Sequence, residues 1–571
     1  MEDKKTAAEK NKENSAYLKG TVPDAVLSDS SHFTSDESAL LKFHGTYQQD
    51  DRDVRGARVK EKKEPLYGMM VRSKIPGGRL TAAQYLNHDD LAGLYGNGTL
   101  RITTRQGFQF HGVLKKNLKA VIRSINEKLG TTSGACGDIV RNVMACPAPA
   151  SDRSRMKVFE LAKSLSDQFL SKSGTYQEIW LDGKKTETER PPEEAEPIYG
   201  KAYLPRKFKI GMACPDDNCI DVYTHDLGIV PELDASGGVA GFTLLVGGGL
   251  GMTHGIEKTY PRLATPLCFV TPEDLAETCK AIVLVQRDNG NRQDRKRARL
   301  KYLLDERGVP WFRSEVEKRL GKKTQDPHPI RLKEVENHLG WHPNAQGAWY
   351  LGVFIENGRI KDEGSLKLRT GLRALVEKYK PDVYLTAQQD ILFSGFQENQ
   401  KKEVEDLLRS HGIKLPWELA KARLDSIACP ALPTCGLAIS ESERVMPGLM
   451  DEWEKEVAAQ GLEDQKFIIR MTGCPNGCAR PYNAEIALVG RNPGIYNVYV
   501  GGSLIGDRMA WSLADKVPLA DIVKTLRPVL SLYRKEREKG EGFGDFCFRS
   551  GAAKLKNLIS ASAASQVPHS S

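Results

Sequence analysis

Apolar residues return every three to four positions in three long stretches of the chain, and each predicts a helix. They are VLKKNLKAVIRSINEKLG (113–130), ETCKAIVLVQRD (277–288) and LRALVEKYK (372–380). GTLRITTRQGFQFHGV, FIIRMTG and IYNVYVGG are rich in β-branched and aromatic residues and predict strands. Helices and strands alternate along the chain, which predicts an α+β or α/β architecture with helices laid on sheet faces. The first forty or so residues are polar and rich in Ser, Asp and Lys, so they are expected to form a weakly ordered arm. Globular sequence begins by LLKFHGTYQQDD. The longest mainly apolar run, Gly237 to Met252, is glycine-rich and too short to span a bilayer.

The pattern repeats. Thr103, Gln106, Phe110 and Gly112 in ITTRQGFQFHG return 283 positions later as Thr386, Gln389, Phe393 and Gly395 in LTAQQDILFSG. Without a change of register, Ala145-Cys146-Pro147-Ala148 returns as Ala428-Cys429-Pro430-Ala431. VGGGL (246–250) and VGGSL (500–504) form a weaker echo. Two windows at one offset point to an ancient duplication of a unit of some 250 to 280 residues. The copies differ in what they keep. The first has Arg105, Gln109, His111 and Arg141 where the second has Gln388, Leu392, Ser394 and Leu424. A single site drawing on both copies would use the charge of the first and the cysteines of the second.

Composition narrows the class. The 571 residues are 40% hydrophobic and 27% charged, the profile of a soluble globular protein with two to four domains. The N-terminus lacks a signal-peptide core, and eleven cysteines, an odd number, argue against a disulfide framework. The expected setting is a reducing cytoplasm with no membrane association. The net charge of +9 comes from Lys and Arg interleaved with Asp and Glu, without zinc-finger, basic-zipper or RNP spacing. That pattern suits an acidic partner or anionic ligand rather than nucleic acid.

Four cysteines carry the sharpest signal. Cys429 and Cys435 stand in ACPALPTC, and Cys474 and Cys478 in GCPNGC, giving C-x5-C, a gap of thirty-eight residues, then C-x3-C. Four thiolates suit an iron–sulfur cluster, whose bridged iron favours soft, charged sulfur. Zinc knuckles are more regular and the bacterial ferredoxin run more compact. Pro430 and Pro475 withdraw N–H donors beside the cysteines, while Gly473 and Gly477 let backbone crowd against a bulky group. The plain alternative is four reduced, buried thiols.

GCPNGC, the preceding C-x5-C and the charged first copy together resemble the siroheme–[4Fe–4S] sulfite and nitrite reductases, closest to the hemoprotein subunits of assimilatory sulfite reduction. The resemblance runs from LLKFHGTYQQDDRD to GEGFGDF and includes LRITTRQGFQFHG, RNVMACPAP, EIWLD, YLPRKFK, LLVGGGLGMTHG and RMTGCPNGC. It implies an internally duplicated α+β fold with two ferredoxin-like cap segments (61–130 and 341–420) and two siroheme-binding domains (131–340 and 421–571), after an arm at 1–60. It also implies that Cys429, Cys435, Cys474 and Cys478 hold a [4Fe–4S] cluster, that Cys478 is axial to siroheme iron as well, and that Arg470 and Asn476 lie beside the cluster. Arg72, Arg141, Lys207 and Lys209 match the family's basic residues for the anionic substrate. In RKFK, strand alternation would put both lysines on one face and Phe208 on the other, and lysine is a suitable proton donor because crowding lowers its pKa. Arg105, Gln109, His111 and Arg206 are candidates for contacts with the eight siroheme carboxylates.

The resemblance implies six-electron reduction of sulfite to sulfide in sulfate assimilation and cysteine biosynthesis, with electrons from a separate protein, either an NADPH-dependent diflavin reductase subunit or a ferredoxin. Assimilatory nitrite reduction is the nearest alternative, disfavoured by the two lysines of RKFK. A non-catalytic iron–sulfur electron carrier is the other, and it leaves the charged first copy unexplained. Three features are set aside. Cys214 and Cys219 in ACPDDNC have no companion pair in the sequence and are expected to be a relic of the duplication. Cys146 receives no role. VGGGLGMTHG has His254 where a dinucleotide loop needs its third glycine, so its glycines are expected to pack against the flat macrocycle.

Overall fold

The helix expected over 113–130 begins after strand Phe108–Val113 and a 3-10 turn, and occupies Leu118–Glu127. That over 277–288 lies inside helix Leu275–Asn289, and that over 372–380 falls in helix Leu368–Tyr379 except for Lys380, its C-cap. The structure, a computed structural model, describes residues 5–148, 153–183 and 195–564. GTLRITTRQGFQFHGV forms two strands, Leu100–Ile102 and Phe108–Val113, paired antiparallel. Their connection needs a left-handed residue, which Gln106 supplies at φ 53°, and its counterpart Gln389 does the same at φ 76°. The cost of that conformation at Gln106 is offset by its buried side chain. Its Nε2 donates to the carbonyls of Ala145 (2.8 Å) and Leu385 (3.1 Å), and its Oε1 accepts from the Ala145 N–H (3.1 Å).

The chain divides into two compact units. One comprises Met1–Gly249, Ala264–Leu332 and His338–Leu415; the other Leu250–Leu263, Lys333–Asn337 and Pro416–Ser571. In the larger unit, one sheet runs Thr46–Asp50, Tyr67–Arg72, Phe108–Val113, Leu100–Ile102, Arg359–Ile360, antiparallel throughout. A second runs Gly340–Pro343, Trp349–Val353, Ile391–Phe396, Asp382–Leu385, Arg79–Leu80, also antiparallel. Each receives its last strand from the other copy, so neither leaves that edge for a foreign strand.

The third sheet of this unit runs Met144–Ala145, Ile210–Met212, Leu227–Leu233, Val239–Val246, Thr265–Val270. The sheet of the smaller unit runs Ser426–Ala428, Ile469–Thr472, Ile486–Asn492, Ile495–Val500, Trp511–Pro518. In both, the first three strands are parallel, the fourth turns back antiparallel, and the fifth pairs antiparallel with the fourth. The duplication seen in the sequence is therefore a duplication of topology. Helices Met446–Ala459 and Ile522–Glu536 cover the smaller unit's sheet. They set Trp453, Leu526 and Leu530 in one core with Ile469, Ile486, Leu488 and Val498.

The N-terminal segment departs from the expectation of a weakly ordered arm. From Lys5 onward it is folded into the larger unit's core through Leu18, Val22, Phe33, Leu40 and Leu41. Thr6 caps helix Ala7–Asn14, and Thr34 and Glu37 form a capping box on Ser35–Leu41. Lys12 is buried, paired with Glu9 at 2.5 Å and Asp138 at 3.7 Å, and donates to the Leu204 carbonyl at 2.7 Å. Average polarity concealed a few well-spaced apolar residues and one fully satisfied buried cation.

In the smaller unit Glu485 is fully buried, accepting the Gly544 N–H at 2.9 Å and the Ile468 N–H at 3.0 Å. Burial pushes its carboxyl up to about 7 from an ordinary 4.5, although both N–H groups pull the other way. A raised folded pKa contributes stability that is full below pH 4.5 and is lost as pH rises through about 7, about 3 kcal/mol at most. Glu485→Gln is expected to flatten the rise in thermal midpoint on acidification across that window. A slope equal to that of the unsubstituted protein would refute this assignment.

Candidate functional site

The four cysteines of the sequence motif lie in the smaller unit and come together there. Cys429 follows strand Ser426–Ala428 and Cys474 follows Ile469–Thr472 by one glycine, so two parallel, hydrogen-bonded strands deliver them side by side. Burial holds the Cys429 thiol above its ordinary range, and Cys478, Cys474 and Cys435 add to the effect. Cys474 is pushed up to about 12 by burial, then by Cys478 and Cys435. Cys429 and Cys474, which resist ionisation through burial and then through their sulfur neighbours, need a multivalent cation to become thiolates, which is what a cluster provides.

The Gly473 N–H donates to Cys429 Sγ at 3.3 Å, and Asn476 Nδ2 to Cys474 Sγ at 3.6 Å. A Cβ on Gly473 would meet the Ser440 carbonyl at 2.5 Å and Ala431 Cβ at 2.7 Å, and Gly477 sits at φ 64°. These two glycines let the loop close. Cys429 and Cys474 are buried, Cys435 half-buried and Cys478 exposed, so the set has one open corner. Arg470 turns onto the same loop, donating to the Arg480 carbonyl (3.0 Å) and Asn483 Oδ1 (3.1 Å). Leu250–Leu263 belongs to this unit, and the Met252 N–H donates to the Pro475 carbonyl at 2.9 Å. The glycine-rich run thus packs on the cysteine loop.

The larger unit gathers the basic residues. On the sheet's register Arg72 stands opposite Gln109, and Gln109 opposite Arg101. In its pairing orientation the Gln109 amide oxygen accepts from Arg72 Nε at 3.1 Å. Gln109 and His111 alternate with Phe108 and Phe110, yet all four are buried, so both faces of this strand are enclosed. Arg141 lies one residue past the bridge between Val140 and Phe208, and its Nε donates to the Gly137 carbonyl at 2.9 Å. Arg105 reaches the Asn142 carbonyl and, at 3.4 Å, that of Ile210.

Lys207 and Lys209 flank the buried Phe208 just before strand Ile210–Met212. The Lys209 N–H donates to Asp226 Oδ2 at 2.9 Å, and Asp226 pairs with Arg299 at 2.9 Å. Burial drives the Lys209 ammonium well below its ordinary pKa, aided by Lys207, Arg105 and Arg299, while Asp226 opposes. Lys301, which donates to the Gly249 carbonyl, is brought down to about 6 by burial and Arg299. Cations so crowded that their own protons are destabilised constitute a place for anions. Arg206 is spent differently. It lies 3.6 Å from Asp138, whose carboxyl burial would raise but which Arg295, Lys12 and Arg206 hold at about 2.

Comparison with known proteins matches this architecture. The family model described as the nitrite and sulphite reductase 4Fe-4S domain covers residues 136–324 and 420–566, once for each copy. The chain belongs to the nitrite and sulphite reductase family. The ferredoxin-like half domain of nitrite/sulfite reductase matches 61–128 and 342–411. A protein of Methylobacterium nodulans named sulfite reductase [NADPH] hemoprotein beta-component is 46% identical over 539 residues, 94% of this chain and 89% of that protein. One of the same name from Staphylococcus saprophyticus is 43% identical, covering 96% of each. The structure of the Mycobacterium tuberculosis NirA protein shares the fold, with a TM-score of 0.79 at 22% identity over 97% of this chain and 98% of that one.

The sequence singled out the cysteine set and several basic residues as candidates, and the structure adds Arg101, Asp226, Arg299 and Lys301 to the basic group. Arg299 and Lys301 share the alternation of RKFK within RARLKY, which was the signal available. Asp226 was not legible, because one carboxylate among many has no pattern until it is seen among cations. No helix among the described residues is long and apolar enough to cross a membrane.

Proposed function

We infer that this chain is the hemoprotein of a sulfite reductase, carrying out the six-electron reduction of sulfite to sulfide, in the service of sulfur assimilation and cysteine biosynthesis. Cys429, Cys435, Cys474 and Cys478 hold the [4Fe–4S] cluster, with Cys478, the exposed thiol, shared with siroheme iron. Asn476 supplies a donor to the cluster sulfurs. When bound, the siroheme–cluster pair would pass on electrons from the donor protein and offer the coordination position for the sulfur. Arg72, Arg141, Lys207 and Lys209 bind the anion, and the two lysines deliver protons as its oxygens leave as water. Arg105, Gln109 and His111 serve the siroheme carboxylates, with Arg206 contributing at the edge of that set. Segments 61–130 and 341–420 are the caps, and 131–340 and 421–571 the cofactor-binding domains.

The observation that carries this reading is the presence in one chain of a four-cysteine set and a second, strongly cationic set, in which Asp226 is the counter-charge beside Lys209. An electron carrier has no use for the second set. The relatives' name carries NADPH, and we propose a flavoprotein subunit as the electron donor, working in the cytoplasm. The test is turnover driven by reduced methyl viologen, comparing kcat/KM for sulfite and nitrite beside the visible spectrum. Red-region siroheme bands with sulfide formed and sulfite preferred are expected. A nitrite preference would reassign the substrate, and cluster absorption without siroheme or turnover would overturn the enzyme reading.

A further inference from the structure

Cys146, Asp217, Cys219 and His338 lie buried in the larger unit, with one potential ligand atom from each within 4.8 Å of all the others. None belongs to the proposed cofactor or substrate set. In the sequence Cys146 and His338 were not visible as companions of Cys219, because they lie more than seventy residues before it and more than a hundred after it; only Asp217 is local. The duplication explains how the thiols arrived. Cys146 follows strand Met144–Ala145 as Cys429 follows Ser426–Ala428. Cys219 stands two residues before Asp221, at φ 53°, as Cys478 stands two before Arg480, at φ 55°. Cys214-Pro215 mirrors Cys474-Pro475, and Asp152 stands where Cys435 would fall.

Distances decide what the remaining set suits. The thiols of a cubane cluster must stand apart around a cage, whereas ligands of one tetrahedral ion lie along its edges. With bonds of about 2.3 Å to sulfur and about 2.0–2.1 Å to nitrogen or oxygen, those edges are about 3.3–3.8 Å. Here Cys146 Sγ is 3.5 Å from His338 Nε2 and 3.8 Å from Asp217 Oδ2, and His338 Nε2 is 3.2 Å from Asp217 Oδ2. These three distances match edges of a single-ion tetrahedron, and Cys219 Sγ lies within 4.8 Å of all three atoms.

The surroundings complete it. Asp217 Oδ1 accepts the Cys219 N–H at 2.9 Å, which leaves Oδ2 turned to the other three. The backbone at His338 is held close, since a Cβ on Gly352 would meet the His338 carbonyl at 2.0 Å. The Cys214 thiol is hydrogen-bonded to Cys146. Arg155 Nη1 lies 3.2 Å from Cys146 Sγ and 3.4 Å from Asp217 Oδ2.

We propose that Cys146, Asp217, Cys219 and His338 form a structural binding site for one zinc ion, derived from the first copy's half of the duplicated cysteine site. Two thiolates and a carboxylate against a divalent ion leave one negative charge, which faces the Arg155 guanidinium, itself also paired with the more exposed Asp216 at 3.4 Å. Sulfur, imidazole and carboxylate ligands closing all four positions match a structural rather than a catalytic zinc site. Zinc binding would displace the protons held among the four ligands and release them to solvent.

The test uses the full chain, expressed without a histidine tag in zinc-supplemented medium, dialysed against a chelator, and analysed for metals and by zinc K-edge absorption. About one zinc per chain is expected, in a shell of two sulfurs at about 2.3 Å and two lighter ligands at about 2.0–2.1 Å. The Cys219→Ser/His338→Gln double variant should lose zinc at least about tenfold while its iron content is unchanged. Protein from the same medium that lacks zinc, an edge spectrum showing four sulfurs, or undiminished zinc in the double variant would each overturn the proposal. If the double variant aggregates, the edge spectrum of the unsubstituted chain decides alone.

Discussion

Cys478→Ser is expected to lower sulfite turnover by at least about a thousandfold, because the electron-carrying chemistry belongs to the cofactors and this sulfur is assigned to both. Of the four motif cysteines it alone is exposed, as a sulfur serving a second metal must be. The substitution keeps the size of the side chain but replaces a soft thiolate with a hydroxyl that does not ionise near neutral pH. Iron analysis and the visible spectrum should show loss of the siroheme bands together with reduced cluster iron. A variant with unaltered bands and iron, and turnover within a few-fold of the unsubstituted protein, would remove Cys478 from the site.

The second large effect is expected at Lys209. Its ammonium is destabilised by burial and by Lys207, Arg105 and Arg299, so in the chain without anions it readily gives up its proton. An arriving anion reverses that balance, drawing a proton onto Lys209 where the anion can receive it. Lys209→Ala should reduce kcat for sulfite by about a hundred- to a thousandfold, the usual worth of a positioned general acid. Lys209→Arg restores the charge without a transferable proton, so it should recover KM but not kcat. Recovery of both would reduce the role of Lys209 to charge alone. Siroheme and iron content, measured alongside, separate this from cofactor loss.

Both expectations join a legible motif to an environment that was not legible. C-x5-C and C-x3-C singled out the proposed ligands because cluster ligation demands a residue type at short spacing, and spacing is a property of the chain. The alternation Lys207-Phe208-Lys209 was likewise local. Which of the four sulfurs is open depends on how the loop at Gly473 closes, and which cations crowd Lys209 depends on Asp226 and Arg299, neither adjacent to Lys209 in sequence.

The repeat at one constant offset, the helix and strand periods and the cysteine motif were determined by the sequence alone, since each depends on neighbours within a few residues or on an unbroken register. The exchange of edge strands Arg79–Leu80 and Arg359–Ile360 was decided only in three dimensions, because two-residue strands carry no period of their own. The N-terminal segment gained its order the same way, from a core supplied by the rest of the larger unit. So did the group of Cys146, Asp217, Cys219 and His338: ligands drawn from three distant segments become a site only when strands and loops bring their atoms within bonding reach of one ion.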